Sequence, residues 1–266
     1  MTLSAEPSRP SVLLTVAYDG THFHGFAPQP GTRTVYGELL EAVRKLDPSV
    51  TALRGVSRTD AGVHAYGQRV AFDPQQAIPP RGWALGLARH LPPDLSVRSA
   101  GLVPAGYDPR GHSVAKHYRY ALILDVCRDP LLERTAWRLA TDFDLELARE
   151  QAAALVGTHD FAAFRSSADM RTSTERTLHA VTLERAAHDA RLVLIDVRGS
   201  AFLHNMVRII AGSLADLGRG RLAPGAFERA FASRARADLG ITAPPQGLCL
   251  QSVQLEPDAA DSWPRA

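Results

Sequence analysis

Strand-like and helical segments alternate along both halves of the chain, and this pattern limits the folds that the chain can adopt. A β-rich run over Ser11–Tyr18 ends at the turn pair Asp19-Gly20. Thr34 is then suited to cap a helix over Val35–Leu46, in which apolar residues recur every three or four positions. Helices interspersed among strands in both halves favour an α/β or α+β fold.

The same patterns predict the remaining elements and a division into two halves. Further strands are predicted over 67–72, 95–103, 116–124, 178–184, 191–198 and 248–255. Further helices are predicted after Pro80, over 143–156 between Asp142 and Gly157, and over 202–217. Because the segment 104–109 contains two prolines and a glycine, we place the domain boundary there. The predicted halves are 11–106 and 107–256, with flexible tails at 1–10 and 257–266.

Composition excludes several classes of protein. Of the 266 residues, 45% are hydrophobic and 22% charged, values typical of a globular rather than a disordered chain. No apolar run of about 18 residues is present, so no membrane association is predicted. The first ten residues lack the apolar centre of a signal peptide. The only cysteines, Cys127 and Cys249, form no CxxC pair, and a cytoplasmic protein is therefore expected.

Charge is distributed unevenly along the chain. The net charge is only +2, but residues 51–120 hold nine lysines or arginines and four acidic residues. A locally basic segment in a nearly neutral protein can mark a surface that binds anions.

The segment Gly55–Ala65 is the densest in groups able to carry chemistry. Asp60 could act as a nucleophile, a general base or a metal ligand, or could simply cap a turn through the backbone. Arg58, two residues earlier, could reach a phosphate or remain solvated. These alternatives stay open at the level of residue pattern.

Two other segments, Lys116–Tyr120 and the helix that contains Arg208, can also be interpreted either as functional or as purely structural. If Lys116–Tyr120 is a strand, Lys116, Tyr118 and Tyr120 share one face, and His117 and Arg119 share the other. Cations beside aromatic rings suit nucleic acid, although tyrosines also pack in cores with the hydroxyl at the rim. Arg208 lies close to the apolar stripe of a predicted helix, where it needs an acidic partner or must extend to water.

No pattern indicates a metal or a cofactor. His22 and His24 alternate on an extended piece, but no third ligand follows at a usable spacing. Neither a GxxxxGK[ST] nor a GxGxxG loop occurs, so no nucleotide cofactor is predicted.

The octapeptide Arg58-Thr59-Asp60-Ala61-Gly62-Val63-His64-Ala65 resembles the RTDAGVHA signature of the TruA family of tRNA pseudouridine synthases. Five further segments resemble that family's motifs in the same order. They are Tyr18-Asp19-Gly20-Thr21 with Gly25, Lys116–Tyr120, Asp160-Phe161 with Phe164, Phe202-Leu203 with Met206-Val207-Arg208, and Ala243-Pro244-Pro245 with Gly247-Leu248. The chain departs from the family at Ser57, where Gly is usual, and at Phe26, Ala27 and Asp108.

The resemblance implies a fold and an activity. Two ferredoxin-like or RNA-recognition-like halves would join in one extended, mainly antiparallel sheet, with helices on one face and a catalytic cleft between the halves. The implied reaction isomerises uridine to pseudouridine at positions 38, 39 and 40 of the tRNA anticodon arm, on a flipped-out base and without a cofactor or metal. A homodimer is implied. The alternatives are the same fold acting on another RNA, and a catalytically silent RNA-binding protein; a hydrolase of small glycosides lacks a second local carboxylate.

The resemblance also assigns roles to residues of this sequence. Asp60 is the implied nucleophile, Arg208 the cation paired with it, and Tyr118 the active-site tyrosine that packs against the uracil. Arg58 would hold the flipped nucleotide. The other candidate substrate-binding residues are Thr59, His64, Arg110, Lys116, Arg119 and Leu248.

Overall fold

A computed structural model describes residues 9–140, 142–259 and 261–264. The chain divides into an N-terminal unit, Met1–Val114 with Gln251–Ala266, and a C-terminal unit, Ala115–Leu250. The sequence placed the boundary at 106/107 and assigned the last strand to the second half. The division differs because the chain from Gln251 onwards packs within the first unit. Its backbone approaches Gly67 so closely that a Cβ added there would lie only 2.5 Å from the Gln251 carbonyl oxygen.

The N-terminal unit contains most of the predicted elements at or near the predicted bounds. Its elements in chain order are β1 (Ser11–Tyr18), α1 (Val35–Leu46), β2 (Arg54–Gly55), β3 (His64–Phe72), α2 (Pro80–Leu87) and β4 (Leu95–Val103). The cap predicted at Thr34 is confirmed, because its hydroxyl accepts the Gly37 N–H at 3.2 Å.

Strand pairing in this unit is antiparallel and follows the ferredoxin-like pattern. β1 lies between β3 and β4, with Leu14 opposite Val70 on one side and Ala100 on the other. Helix α2 connects β3 to β4, so both neighbours of the central strand belong to one β-α-β connection. The buried rings of Phe72 and Trp83 meet edge to face at 5.0 Å and join α2 to the sheet.

The C-terminal end is partly a strand rather than the predicted tail. Strand β10 (Leu248–Leu255) crosses the division between the units, and β11 (Asp261–Trp263) pairs antiparallel with β4. Asp258 also forms an ion pair with Arg69 of β3. This short segment becomes a strand because the edge of β4 is available for pairing. Its own sequence contains no pattern that predicts a strand. Residues 1–8 of the predicted N-terminal tail lie outside the described residues.

The C-terminal unit combines mainly antiparallel strands with helices. Its elements are β5 (Ser113–Leu124), which starts in the first unit, β6 (Trp137–Leu139), α3 (Leu145–Ala152), β7 (Gly157–Asp160), β8 (Glu175–Ala186), β9 (Asp189–Gly199), α4 (Met206–Gly218) and α5 (Ala226–Ser233). The strand order is β5-β9-β8-β7, and β6 runs parallel to β5.

Two helix predictions in this unit were too long. The helix expected over 202–217 begins only at Met206, because Asn205 adopts a left-handed backbone conformation with φ 64° and breaks the helical path. The helix expected over 143–156 is α3 followed by a 3-10 turn at Ala153–Leu155, and Asp144 rather than Asp142 caps it.

The predicted fold class is confirmed. Both units combine helices with strands of one large sheet, and the strand pairs described for it are antiparallel except that of β5 with β6. No helix among the described residues is long and apolar enough to cross a membrane.

Candidate active site

Asp60 lies in the loop between β2 and β3, and the backbone makes a tight turn directly after it. The Val63 N–H donates to the Asp60 carbonyl oxygen at 3.1 Å, and Gly62 takes φ 78°. That conformation is easy for glycine and strained for other residues. Asp60 next to this turn is half-buried, whereas Arg58 is exposed.

Buried neighbours anchor this loop to the chain that follows β1. The hydroxyl groups of Tyr18 and Thr59 lie 2.7 Å apart, and the Phe26 N–H donates to the Thr59 carbonyl oxygen at 3.0 Å. His64 is also buried, and its Nδ1 accepts the Gly20 N–H at 3.0 Å. The structure therefore places Thr59 and His64 in the interior, where they position the loop.

The N-terminal side of the loop is held by an amide that spans it. Gln68 is fully buried, accepts the Ser57 N–H at 3.2 Å and donates to the Ser57 carbonyl oxygen at 2.7 Å. Among the described residues, the buried Ser57 hydroxyl has no hydrogen-bond partner. The departure from the family's usual Gly thus adds a polar atom that this loop does not use.

In the C-terminal unit, the two faces predicted for β5 are confirmed. Tyr118 is 8% exposed, and its ring meets that of Phe202 edge to face at 5.1 Å. Tyr120, on the same face, is fully buried and donates to the Pro244 carbonyl oxygen at 2.8 Å. Burial raises the pKa of Tyr120 well above its usual range. Tyr120 is therefore a core residue, and Tyr118 is the tyrosine nearer the surface.

His117 and Arg119 share the other face and both bind Asp196 of β9. The Arg119 guanidinium makes two hydrogen bonds to the carboxylate, at 2.9 and 3.0 Å. Although burial alone raises the pKa of Asp196, hydrogen bonds from His117 and Arg119 lower it below its usual value. The charge of Arg119 is therefore already balanced within the sheet. Lys116, a predicted binding residue, is half-buried.

Arg208 lies in the first turn of α4 and is half-buried. Its Nε donates to the Ala243 carbonyl oxygen at 2.8 Å, and its Nη1 donates to the Asn205 side chain at 2.9 Å. These bonds fix the guanidinium beside the segment that leads to Leu248, the buried first residue of β10. Arg110, in contrast, is exposed in the turn that precedes β5.

Sequence reasoning missed several interacting groups. In the C-terminal unit Asp169 pairs with Arg171 and Asp196 pairs with Arg119, and in the N-terminal unit Tyr107 stacks on His112 at 4.4 Å. The spacing Asp-x-Arg at 169–171 was the available signal, since an aspartate often binds backbone two residues later. Among the described residues, no group of three or more metal-ligating side chains occurs.

These features define a class of protein: an α+β protein in which the loop between β2 and β3 holds an aspartate, Asp60, and an exposed arginine, Arg58. The family model described as tRNA pseudouridine synthase matches residues 14–109 and 151–255. The chain belongs to the tRNA pseudouridine synthase family. The predicted enzyme class, an isomerase, is thereby confirmed.

Individual relatives match over almost their full length. A "tRNA pseudouridine synthase A" of Geobacter sp. (strain M21) is 42% identical over 91% of this chain and 98% of its own. Those of Geobacter sulfurreducens and Bacillus licheniformis are 39% and 37% identical, covering 99% and 96% of their own lengths. A solved archaeal box H/ACA sRNP Nop10-Cbf5 complex aligns at 12% identity with a TM-score of 0.36, over 77% of this chain and 44% of that one.

Proposed function

We propose that this chain isomerises uridine to pseudouridine at positions 38, 39 and 40 in the anticodon arm of tRNA. The observation that carries the proposal is the loop that holds Asp60 half-exposed and Arg58 exposed through buried contacts of Tyr18, Thr59 and Gln68. Family membership and relatives described as tRNA pseudouridine synthase A support tRNA as the substrate.

In the proposed reaction, the N1–C1′ bond breaks, the uracil turns, and C5 bonds to C1′. The proton on C5 leaves and N1 gains a proton, so nothing is oxidised and no group enters from outside. The Asp60 carboxylate stabilises the positive charge at C1′, either by bonding to it or by assisting elimination to a glycal. This is the role that a carboxylate has at the oxocarbenium-like centre of a retaining glycosidase.

Two residues of the C-terminal unit complete the proposed chemistry. Arg208 is the cation that the family resemblance pairs with the Asp60 carboxylate. Tyr118 would pack against the uracil and accept the proton from C5.

The target base must leave the stem before Asp60 can reach its sugar. We assign to Arg58 the task of filling the vacated space, since a guanidinium can stack and bind phosphate at the same time. Arg110, which is exposed, and Lys116 would contact the RNA backbone. Affinity for tRNA should then fall as the salt concentration rises.

The test uses an unmodified tRNA transcript with uridines at 38, 39 and 40, without added metal or nucleotide. Pseudouridine is mapped by carbodiimide labelling and primer extension. We compare the wild type with Asp60→Asn, which keeps the shape of the side chain, and with Glu150→Gln, which removes an exposed carboxylate on α3. Wild type and Glu150→Gln should give stops at these positions, and Asp60→Asn should give none while still retaining tRNA on a filter.

Other outcomes lead to the two alternative functions. Activity of Asp60→Asn within about tenfold of the wild type removes Asp60 from the nucleophile role. Wild type that retains tRNA but leaves its uridines unchanged points to a different RNA substrate or to a silent RNA-binding protein. Total cellular RNA is then the substrate that separates these two.

We also propose a cytoplasmic homodimer, as the family resemblance implies. Light scattering should report a mass near twice the 28.8 kDa of one chain. A mass near that of a single chain at working concentration would contradict the dimer.

A further inference from the structure

A short segment before β8 is hydrogen-bonded to the backbone that leads into α4. The Ser166 N–H donates to the His204 carbonyl oxygen at 3.0 Å, and the His204 N–H donates to the Asp169 carboxylate at 2.8 Å. Arg171 Nη1 donates to the Phe202 carbonyl oxygen at 2.9 Å. Three hydrogen bonds thus fix residues 202–204, which lie between β9 and α4 and are not helical.

Asp169 and Arg171 hold each other in place. Arg171 Nε lies 2.9 and 3.1 Å from the two carboxylate oxygens, and the Arg171 N–H donates to Oδ1 at 3.1 Å. The Asp169 side chain is only 4% exposed, whereas that of Arg171 is 47% exposed. The guanidinium holds the pKa of Asp169 well below its usual range, against the opposing effect of burial.

The fixed residues carry groups of the proposed site. Phe202 packs edge to face on Tyr118, and its ring also lies close to Gly199, where an added Cβ would be 3.3 Å from the ring. Asn205, in the left-handed conformation, accepts a hydrogen bond from Arg208. A shift of the 202–205 turn would therefore move contacts of both Tyr118 and Arg208.

We propose that Asp169 and Arg171 are positioning residues for the isomerisation. They fix the 202–205 turn, and through it they hold Phe202 against Tyr118 and Asn205 against Arg208. The inference rests on the proposed function of Tyr118 and Arg208. The effect should appear in the rate of the chemical step, because a displacement of about 1 Å at a reacting group can lower a rate by about a hundredfold.

The chain contains a matched control for this pair. Asp189 and Arg191 have the same spacing and the same bonds, with the Arg191 N–H and Nε donating to Asp189 Oδ1 at 2.9 and 3.1 Å. Arg191 also binds Asp125 and Asp129, and none of these groups bonds to the 202–205 turn. Asp189→Asn therefore removes an equivalent carboxylate without touching the proposed device.

The experiment measures single-turnover pseudouridine formation at saturating tRNA, together with tRNA affinity by filter binding. Asp169→Asn should lower the rate by about ten- to a hundredfold with the dissociation constant within about threefold of the wild type, whereas Asp189→Asn should leave both unchanged. Phe202→Leu should lower the rate as well. In the Phe202→Leu background, Asp169→Asn should then lower the rate by a clearly smaller factor than it does in the wild-type background, because the two changes act through the same contact.

Arg171→Gln serves if Asp169→Asn does not fold, because Asp169 then keeps its bond to the His204 N–H. It should lower the rate with unchanged tRNA affinity. Equal rates for Asp169→Asn and Asp189→Asn, or full additivity with Phe202→Leu, overturn the inference while leaving an active wild type and hence the proposed function intact. A wild type that forms no pseudouridine in tRNA overturns the proposed function, and the inference falls with it.

Discussion

At the scale of single residues, copies of the same residue type differ in the contacts that their side chains make. Arg119 and Arg171 are bound by carboxylates, whereas Arg58 extends from a loop with its side chain exposed. Tyr118 and Tyr120 lie two residues apart on one face, but only Tyr120 is fully buried with its hydroxyl bonded to backbone. Residue type alone therefore identifies candidate site residues but does not show which of them are already bound within the fold.

Asp73 provides a test of how such contacts stabilise the N-terminal unit. Arg54 donates two hydrogen bonds to it, at 2.6 and 2.7 Å, and Ser11 adds a third. The Arg54 guanidinium lowers the pKa of Asp73 to about 2. Because a lowered pKa stabilises the fold only where the carboxylate is ionised, this contribution is present above about pH 4 and is lost as the pH falls towards 2.

Asp73→Asn should therefore reduce the free energy of unfolding at pH 7 by at most about 1 kcal/mol, since the Asp73 side chain is 47% exposed and water screens the pair. Urea unfolding at pH 7 and at pH 2 measures this. The difference between variant and wild type should shrink at pH 2. A difference of the same size at both values would show that the ion pair does not cause it.

At the scale of elements, local signals placed several helices and strands correctly, but they left β2, β6, β7 and α5 unpredicted and failed where the backbone leaves its usual conformations. β1, α1, β4 and β10 have the predicted bounds, because a cap or turn residue marks an end of each and the apolar period is regular. The start of α4 was wrong, because the apolar pattern continues from Phe202 while Asn205 turns left-handed. Strand β11 was missed because its pairing depends on β4, far away in the sequence.

Glycines test how firmly the Asp60 loop is positioned. Gly25 has φ 91°, and a Cβ there would lie 2.7 Å from the Thr59 carbonyl oxygen. Gly31 has φ 70° with nothing within 4 Å. Both Gly25→Ala and Gly31→Ala should lower stability by about 1–2 kcal/mol through backbone strain, but only Gly25→Ala should also displace the loop.

We therefore expect Gly25→Ala to lower the rate of pseudouridine formation by about tenfold or more, and Gly31→Ala to leave it near the wild-type value. Single-turnover rates and urea unfolding of both variants are the measurements. Similar losses of rate in the two variants would mean that lower stability, rather than loop position, limits the activity.

At the scale of the whole molecule, the chain does not divide in sequence order. Residues 251–266 belong with the N-terminal unit, so that unit is complete only after the C-terminal one has been traversed. The last residues contribute β11, the ion pair of Asp258 with Arg69, and a hydrogen bond from the Tyr107 hydroxyl to the Pro257 carbonyl oxygen. The C-terminal segment therefore contributes contacts that stabilise the N-terminal unit.

Removing residues 257–266 should lower the free energy of unfolding by about 2 kcal/mol, because the strand pairing and both side-chain contacts are lost together. Urea unfolding of this variant, beside one that lacks only residues 265 and 266, measures the effect. Equal unfolding midpoints of the two shortened chains would show that β11 does not stabilise the unit in solution.

Periodicity, capping residues and motif order are local properties of the chain, and they were enough to predict the α+β class, the bounds of β1, α1, β4 and β10, and the family. The surroundings of each candidate residue follow from the tertiary structure. Thr59 and His64 are buried, Arg119 is bound by Asp196, and Asp169 with Arg171 holds the turn before α4. These outcomes depend on partners that are distant in sequence, and burial and ion pairing are set by those partners rather than by the residues themselves.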